Sequence, residues 1–412
     1  LFFWLARVKS FVSFIFWLSA TAASAEMLPG FRIEPVAATS GFCTSVVTDS
    51  HGTIFYTTQA GDIVRLDGSQ SSTVAHVTTE AVGNSGLLGM AFVDDHTAIV
   101  HYTTLTESYD VISRIDLGSG SETVVHQFTG DVESPGRYTP SEHHGGNPIV
   151  TADGTIYVGI GDYGLGWVAA QPGWNAGKIW RIDPSGNATP LASGFRNPYD
   201  LAWDPVGHRL IVPDNGDLVD DEINVITAGG FYGWPLTAGN FPPVGGAVPP
   251  AYVFPTVVAP TGIIRLSGAN PLLGHGYLLG AFVTRAIYFI SDSIGDSIDT
   301  PVAITTKDVN PIVDVTESPT GEIYFTTGTV IYRLVPPMRG DCNGDGLVNF
   351  ADIDALQLEL ADGDPHPAST AADGTYRGSW GCDADGDGLV GSSDVNALWR
   401  IVFPRARAAR HP

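Results

Sequence analysis

Cysteine, basic charge and long apolar runs are all scarce in this chain, and each scarcity excludes something. Three cysteines in 412 residues, Cys43, Cys342 and Cys382, cannot all pair with one another, so the fold is no disulfide framework. None of them has the company of ligands expected at a zinc site. Cys342 and Cys382 lie in matching parts of the C-terminal region and are the expected pair, which leaves Cys43 as a buried thiol. Lysine and arginine number 20 against 44 acidic residues, a formal charge of −24. Nucleic acid and anionic membrane both require clustered cations to neutralise phosphate, and neither partner fits that balance. Charged residues of both signs make up only 16%, too few for long exposed helices.

Apolar runs are confined to the N-terminal segment. Arg7 and Lys9 form a basic region, Phe11 to Leu18 (FVSFIFWL) an apolar one, and Ala23-Ser24-Ala25 supplies small residues for cleavage before Glu26. Residues 1–25 therefore read as a signal peptide. The uninterrupted apolar piece falls short of the roughly 20 residues that span a bilayer, so a membrane anchor is the lesser reading. The expectation is a secreted protein, extracellular or periplasmic, with no membrane segment after cleavage.

What the chain has in quantity is glycine, 49, and proline, 28, beside many Val, Ile, Thr and aromatic residues. That mixture suits short strands joined by tight turns. A turn followed by a β-rich run recurs: His51-Gly52 before TIFYTT, Asp153-Gly154 before TIYVGIGD, Thr320-Gly321 before EIYFTT, and more faintly Val206-Gly207 before HRLIVPD. A second recurring strand ends in a basic and an apolar residue: GDIVRLD (Gly61–Asp67), GKIWRID (Gly177–Asp183) and TVIYRL (Thr329–Leu334). Repetition at irregular intervals of roughly 45–70 residues is how propeller blades read, and about 300 residues hold roughly six of them. An all-β, six-bladed β-propeller is predicted over residues 28–335, in preference to a β-sandwich, which would be unusually long.

Val335-Pro336-Pro337-Met338 marks a change of composition, and residues 336–339 read as a linker. Beyond it stand two acidic loops. In DCNGDGLVNFAD, Asp341, Asn343 and Asp345 alternate, Gly346 turns the chain, and Asn349 and Asp352 follow. In DADGDGLVGSSD the same places hold Asp383, Asp385, Asp387, Gly388, Gly391 and Asp394. Calcium takes six to eight oxygen ligands, and this spacing wraps them round one ion, with water in the place of Gly391. Helical patterns follow each loop, on Ile353, Leu356 and Leu360 and on Val395, Leu398, Trp399 and Val402. Two such loop–helix units, each closed by Asp, resemble a dockerin over residues 340–403, a small all-α, EF-hand-like module. The resemblance implies folding on calcium and docking onto a cohesin domain, although residues 362–381 are longer than a compact dockerin's connector. Residues 404–412 form a basic tail.

Five further stretches keep a common order: GNSGLLGMAF (Gly83–Phe92), HHGGNPIVTADGTIYVGIGD (His143–Asp162), GKIWRIDPSG (Gly177–Gly186), FRNPYDLAWDP (Phe195–Pro205) and DDEINVITAGGFYGWP (Asp220–Pro235). Together they resemble the soluble glucose and sorbosone dehydrogenase family, six-bladed propellers that bind pyrroloquinoline quinone (PQQ) and calcium and oxidise aldoses at the anomeric carbon. By that resemblance His143 is the general base, Glu142 its orienting neighbour, Asp162 a carboxylate near the sugar, and Arg196 the support for negative charge on the cofactor. Asn197 is a cofactor contact. Gly216 and Asp217 fall where backbone carbonyls hold the catalytic calcium, and Glu222 and Tyr232 on ligands of a second calcium.

The pattern also departs from the family. PQQ carries three carboxylates, which call for cations. The family's lysine is Val283 here, its paired arginines are Pro311 and Val313, and the residue before GLLG is the short Asn84. Arg285 and Lys307 stand near but out of register. Two functions are therefore expected: a sugar-oxidising, PQQ-dependent enzyme, or a non-catalytic propeller that binds carbohydrate or protein in an extracellular polysaccharide-processing assembly. A hydrolase with a central metal has fold analogy alone behind it.

Overall fold

The structure is a computed structural model. It describes residues 31–104, 110–129, 142–239, 245–270, 272–292, 298–305, 309–336, 338–343, 345–361, 366–367, 381–387 and 389–404. The signal segment and Lys307 lie outside the described residues.

Turn chemistry lays down the blades. Asp49 Oδ1 accepts the backbone N–H groups of His51 and Thr53, and Asp153 Oδ1 accepts that of Thr155, so each aspartate closes the turn before a strand. The strands after the four recurring turns, Ile54–Thr58, Ile156–Ile160, Arg209–Asp214 and Ile323–Thr326, are the second of their blades, and the strands with basic-apolar endings are the third. Six four-stranded antiparallel sheets result. Their innermost strands are Cys43–Thr48, Leu87–Asp94, Ile149–Val150, Ala202–Asp204, Pro260–Ser267 and Asp314–Glu317, which open blades 1 to 6 in chain order. The ring closes through Arg32–Ala38, which pairs antiparallel with Val330–Val335 as the outer strand of blade 6. The chain is thus a six-bladed β-propeller over most of its length.

Apolar layers between neighbouring blades hold the ring together. Phe55 and Ile63 of blade 1 pack with Met90 and Val100 of blade 2, and Leu278 and Ile287 of blade 5 with Phe325 and Leu334 of blade 6. Burying each such side chain is worth about 1.5–3 kcal/mol. Cys43 is fully buried, and burial pushes its thiol up to about 12.

In the C-terminal segment, α1 (Phe350–Glu359) and α2 (Ser392–Val402) pack around Ile353, Leu356, Ala384, Val390 and Leu398, and Cys342 is joined to Cys382. The Asn349 side chain accepts the Ala351 N–H at the start of α1. Trp399, counted on the apolar stripe of α2 from its spacing, is instead 44% exposed and stacks on Phe403 at 4.9 Å. No helix among the described residues is long and apolar enough to cross a membrane.

Candidate active site

In a blade whose strands alternate in direction, two kinds of connection emerge at the same end. These are the crossovers into each inner strand and the turns between second and third strands. His143, Arg196, Asn197 and Asn84 lie on crossovers, and Asp162, Gly216, Asp217 and Arg285 follow second strands, so the topology puts them on one face. Asn84 and Arg285 are exposed there. The others converge.

Backbone bonds bring the three central residues together. Asp162 N–H donates to the Arg196 carbonyl at 2.8 Å and Tyr163 N–H to that of His143 at 3.4 Å. Gly161 makes the approach possible: a Cβ there would lie 2.2 Å from the His143 carbonyl oxygen and 3.0 Å from that of Arg196. His143 itself sits at φ 52°, a left-handed conformation that costs a non-glycine residue about 1–3 kcal/mol.

The result is a His–Asp pair, with His143 Nδ1 2.5 Å from Asp162 Oδ1. Asp162 is 1% exposed and also accepts the N–H groups of Gly164 (2.8 Å), Gly166 (3.1 Å) and Trp234 Nε1 (2.8 Å). An acceptor-only carboxylate assigns the proton to Nδ1, which turns the lone pair of a neutral ring to Nε2. Sequence resemblance gave the orienting task to Glu142 and placed Asp162 near the sugar. The geometry reverses this: Asp162 orients His143, its oxygens spent on the protein, while Glu142 is exposed.

Beside the pair, the Arg196 guanidinium lies 5.7 Å from the Trp234 ring centroid, 3.3 Å from the Asn215 carbonyl and 3.4 Å from Asp217 Oδ1. Buried Asp214 fixes its backbone, accepting the N–H groups of Arg196 (2.8 Å) and Asn197 (2.7 Å). Burial, reinforced by Glu222, raises the Asp214 carboxyl well above its usual range. Asn197 Oδ1 accepts the Gly145 N–H at 3.3 Å, which ties the arginine crossover to the histidine one.

The proposed metal positions divide. Gly216 N–H donates to Asp221 Oδ1, and Asp221 Oδ2 in turn accepts Val258 and Ala259 N–H at 2.7 Å. Glu222 is buried, accepts from Asn224 and Gly239, and is pushed up to about 7 by burial with Asp220 and Asp221 adding to the effect. The Tyr232 hydroxyl donates to the Val225 carbonyl at 2.7 Å and accepts the Thr227 N–H, so its side chain is not a partner of Glu222. Only its carbonyl remains to meet a cation.

In the C-terminal loops Asp341, Asp352 and Asp394 are buried, while Asp345, Asp385 and Asp387 are exposed. Asp352 accepts the N–H groups of Asn343 and Asn349, and Asp394 those of Asp385 and Gly391. Carboxylate oxygens of Asp383, Asp385 and Asp387 lie within 4.8 Å of one another. Asn343 and Asp345 cap successive turns of the first loop. Asp341 is fully buried, and its Oδ1 is an orphan with no hydrogen-bond partner. An orphaned buried carboxylate oxygen among others is what a calcium ion would satisfy, so these residues fit the ion.

Sequence reasoning missed Trp234, Asp214 and a buried cluster behind the pair. Asp110 Oδ2 accepts the Tyr163 hydroxyl at 2.6 Å, and Oδ1 lies 3.1 Å from both His144 Nδ1 and His101 Nε2. Trp234 lies in the stretch Asp220–Pro235, where spacing alone carries no sign of its role. Asp110 lies 53 residues from Tyr163, and no periodicity signals such a contact.

The glucose/sorbosone dehydrogenase family profile matches residues 42–331. Quinoprotein glucose dehydrogenase B of Acinetobacter calcoaceticus is 28% identical over 225 residues, 43% of this chain and 47% of that protein. An aldose sugar dehydrogenase of Escherichia coli is 22% identical over 218 residues, 46% and 58% of the two chains. The matched region spans about half the length of these relatives. Among solved structures, the PQQ-bound aldose sugar dehydrogenase of Streptomyces coelicolor superposes with a TM-score of 0.63 at 21% identity, covering 74% of this chain and 98% of that one. The apo-form of the soluble aldose sugar dehydrogenase of Escherichia coli gives 0.66 at 19% identity, covering 74% and 99%. At these identities the superpositions speak for the fold.

Proposed function

Since the chain belongs to the glucose/sorbosone dehydrogenase family, we propose that it is a secreted oxidoreductase that oxidises a sugar at its anomeric carbon. The observation that carries this is the His143–Asp162 pair with Arg196 alongside. Asp162 keeps the His143 ring in one tautomer and one orientation, and Nε2 takes the proton of the sugar hydroxyl. Trp234 holds both the Asp162 carboxylate and the face of Arg196, so base and cation move as one unit.

The residues present fit the quinone-carbonyl end of PQQ, where Arg196, Asn197 and the carbonyls of Gly216 and Asp217 would hold the group and its calcium. When bound, PQQ supplies the hydride acceptor. Its carboxylates find less: Val283 is exposed at the rim and Val313 is buried in the wall, Arg285 lies on the same face, and Lys307 is outside the described residues. That shortage favours weak cofactor binding, and it is the observation behind a second reading, a non-catalytic propeller that binds carbohydrate or protein. On either reading residues 340–403 are a calcium-dependent, dockerin-like attachment module with a cohesin as partner.

Titration of the full chain with PQQ and calcium, followed by dye-linked oxidation of several aldoses, separates the two. Saturable PQQ uptake with sugar-dependent dye reduction is expected. Absence of both, with the fold intact, leaves the binding propeller in its place.

A further inference from the structure

One repeat position of every blade converges on the propeller axis. Ser45, Asn147, Asp200 and Asp314 each precede the turn glycine of their blade by the same interval, before Gly52, Gly154, Gly207 and Gly321. In blades 2 and 5 the neighbouring inner-strand positions are Gly89 and Gly262. A Cβ on Gly89 would lie 1.9 Å from Asn147 Oδ1, and one on Gly262 2.1 Å from Asp314 Oδ1. Two blades thus give up their side chains, and four polar groups share the space.

All four are buried, with Ser45 0%, Asn147 6%, Asp200 3% and Asp314 2% exposed. Asn147 Nδ2 reaches both carboxylates, at 3.1 Å from Asp200 Oδ2 and 3.2 Å from Asp314 Oδ1. Two acids therefore face each other in the middle of the fold. No Lys, Arg or His is among the described residues lining the axial channel, whose volume is about 240 Å³. A further oxygen in the ring, Ser45 Oγ, is fully buried and has no hydrogen-bond partner. An orphaned buried oxygen beside paired, uncompensated carboxylates is costly unless something positive joins them.

We propose that this axial ring is a binding site for a hard divalent cation of the calcium class. Asp200 and Asp314 balance its charge, and Ser45 Oγ supplies a neutral oxygen. Asn147 supplies another by a half-turn of its amide, which exchanges two nearly isosteric ends. Backbone N–H groups hold the carboxylates in place: Leu201 and Ile263 donate to Asp200, and Val46 and Val315 to Asp314. Once the amide turns, each carboxylate keeps two of its roughly four acceptor positions for the ion. Water from the channel completes the six to eight oxygens that calcium takes. Without the ion, the pair relieves its repulsion by retaining a proton. Burial pushes the Asp314 carboxyl up to about 7, and burial with the charge of Asp314 raises that of Asp200. The ring joins inner elements of blades 1, 3, 4, 5 and 6, so the ion acts as a hub for the closed propeller.

The test uses the full chain, stripped with chelator and re-equilibrated with calcium, then terbium. Bound calcium per chain is counted by atomic emission in wild type, Asp200→Asn, Asp314→Asn and Ser45→Ala. One equivalent lost in either Asp→Asn variant, with the C-terminal loops untouched, is the expected result. Ser45→Ala, the mildest change, lowers affinity for that equivalent severalfold while the fold persists, and so decides the matter if an Asp→Asn variant fails to fold. Tyr199 adjoins the ring, its phenol held neutral by burial and by the charges of Asp314 and Asp200. Its ring sensitises terbium there, so Tyr199→Phe removes emission without changing stoichiometry. Equal calcium content in wild type and folded Asp314→Asn, or terbium emission indifferent to Tyr199, would overturn the proposal and leave a proton-sharing acid staple.

Discussion

Tyr163 donates its hydroxyl to Asp110 Oδ2 at 2.6 Å, and the residue before it is Asp162, the partner of His143. His144, the residue after His143, meets the same Asp110 carboxylate at 3.1 Å. Both members of the pair are thus fixed through their chain neighbours to one buried acid. His101 completes the cluster, with Nδ1 2.8 Å from the Gly146 carbonyl and Nε2 3.1 Å from Asp110. Both of its nitrogens face oxygens, so the ring spans the Gly146 carbonyl and the Asp110 carboxylate.

Replacing Asp110 by Asn should therefore destabilise the propeller by about 3 kcal/mol, because two imidazoles and a phenol lose a buried charge. Burial disfavours that charge, but His144 and His101 more than offset it and hold the carboxyl well below the usual carboxylate range. The folded state then binds fewer protons than the unfolded one as pH falls below the ordinary carboxylate range. Stability from this group is fully present above that range and is lost as pH falls below it toward the depressed folded value. Denaturant melts at pH 3 and pH 6 should show a smaller acid loss in Asp110→Asn than in wild type. Parallel losses would remove the account.

His143→Ala should abolish sugar-dependent dye reduction, lowering kcat by about 10²–10⁴. Its side chain is partly exposed and its backbone strained, so thermal stability should hardly change. Asp162→Asn should do the same to kcat, since an amide permits the ring to turn, and circular dichroism checks that both variants are folded. Activity surviving His143→Ala would show that the base has been misassigned.

Trp234→Phe deletes one hydrogen bond to Asp162 while keeping a ring under Arg196. A loss of about 1 kcal/mol of stability is expected, with a larger fall in kcat than change in KM. A pure rise in KM would instead place Trp234 in substrate binding.

Chelation should unfold the C-terminal helices while the propeller stays folded, its melt lowered by loss of the axial ion, because Asp341 faces Asp352 in one loop and Asp394 faces Asp385 and Asp383 in the other without a cation between them. Far-ultraviolet circular dichroism of the full chain should lose its helical component on chelation and regain it with calcium. Helical signal that survives exhaustive chelation would count against the loops as calcium sites.

Cys43 should resist thiol reagents in the native state. It is fully buried, and ionisation, which burial opposes, is needed for reaction. Titration should find no fast-reacting thiol until denaturant is added. Rapid labelling of Cys43 in the folded chain would mean the blade 1 and blade 6 packing around it opens readily.

The blades were legible from the chain because their turns and strand periods are local: Asp153-Gly154 shapes the strand beside it whatever lies across the fold. The acidic loops were legible for the same reason, since Asp341 to Asp352 is one continuous wrap. Family resemblance located His143 and Arg196, yet misread which acid orients the histidine. Glu142 adjoins His143 in sequence, but the bond is made by Asp162, whose distance along the chain conceals it. The fold of blade 3 decided that partner, and the packing of blades against one another decided Trp234, Asp110 and the axial carboxylates Asp200 and Asp314. Sequence period determines which way a side chain leaves its strand, and it is the packing of six sheets around one axis that determines what that side chain meets.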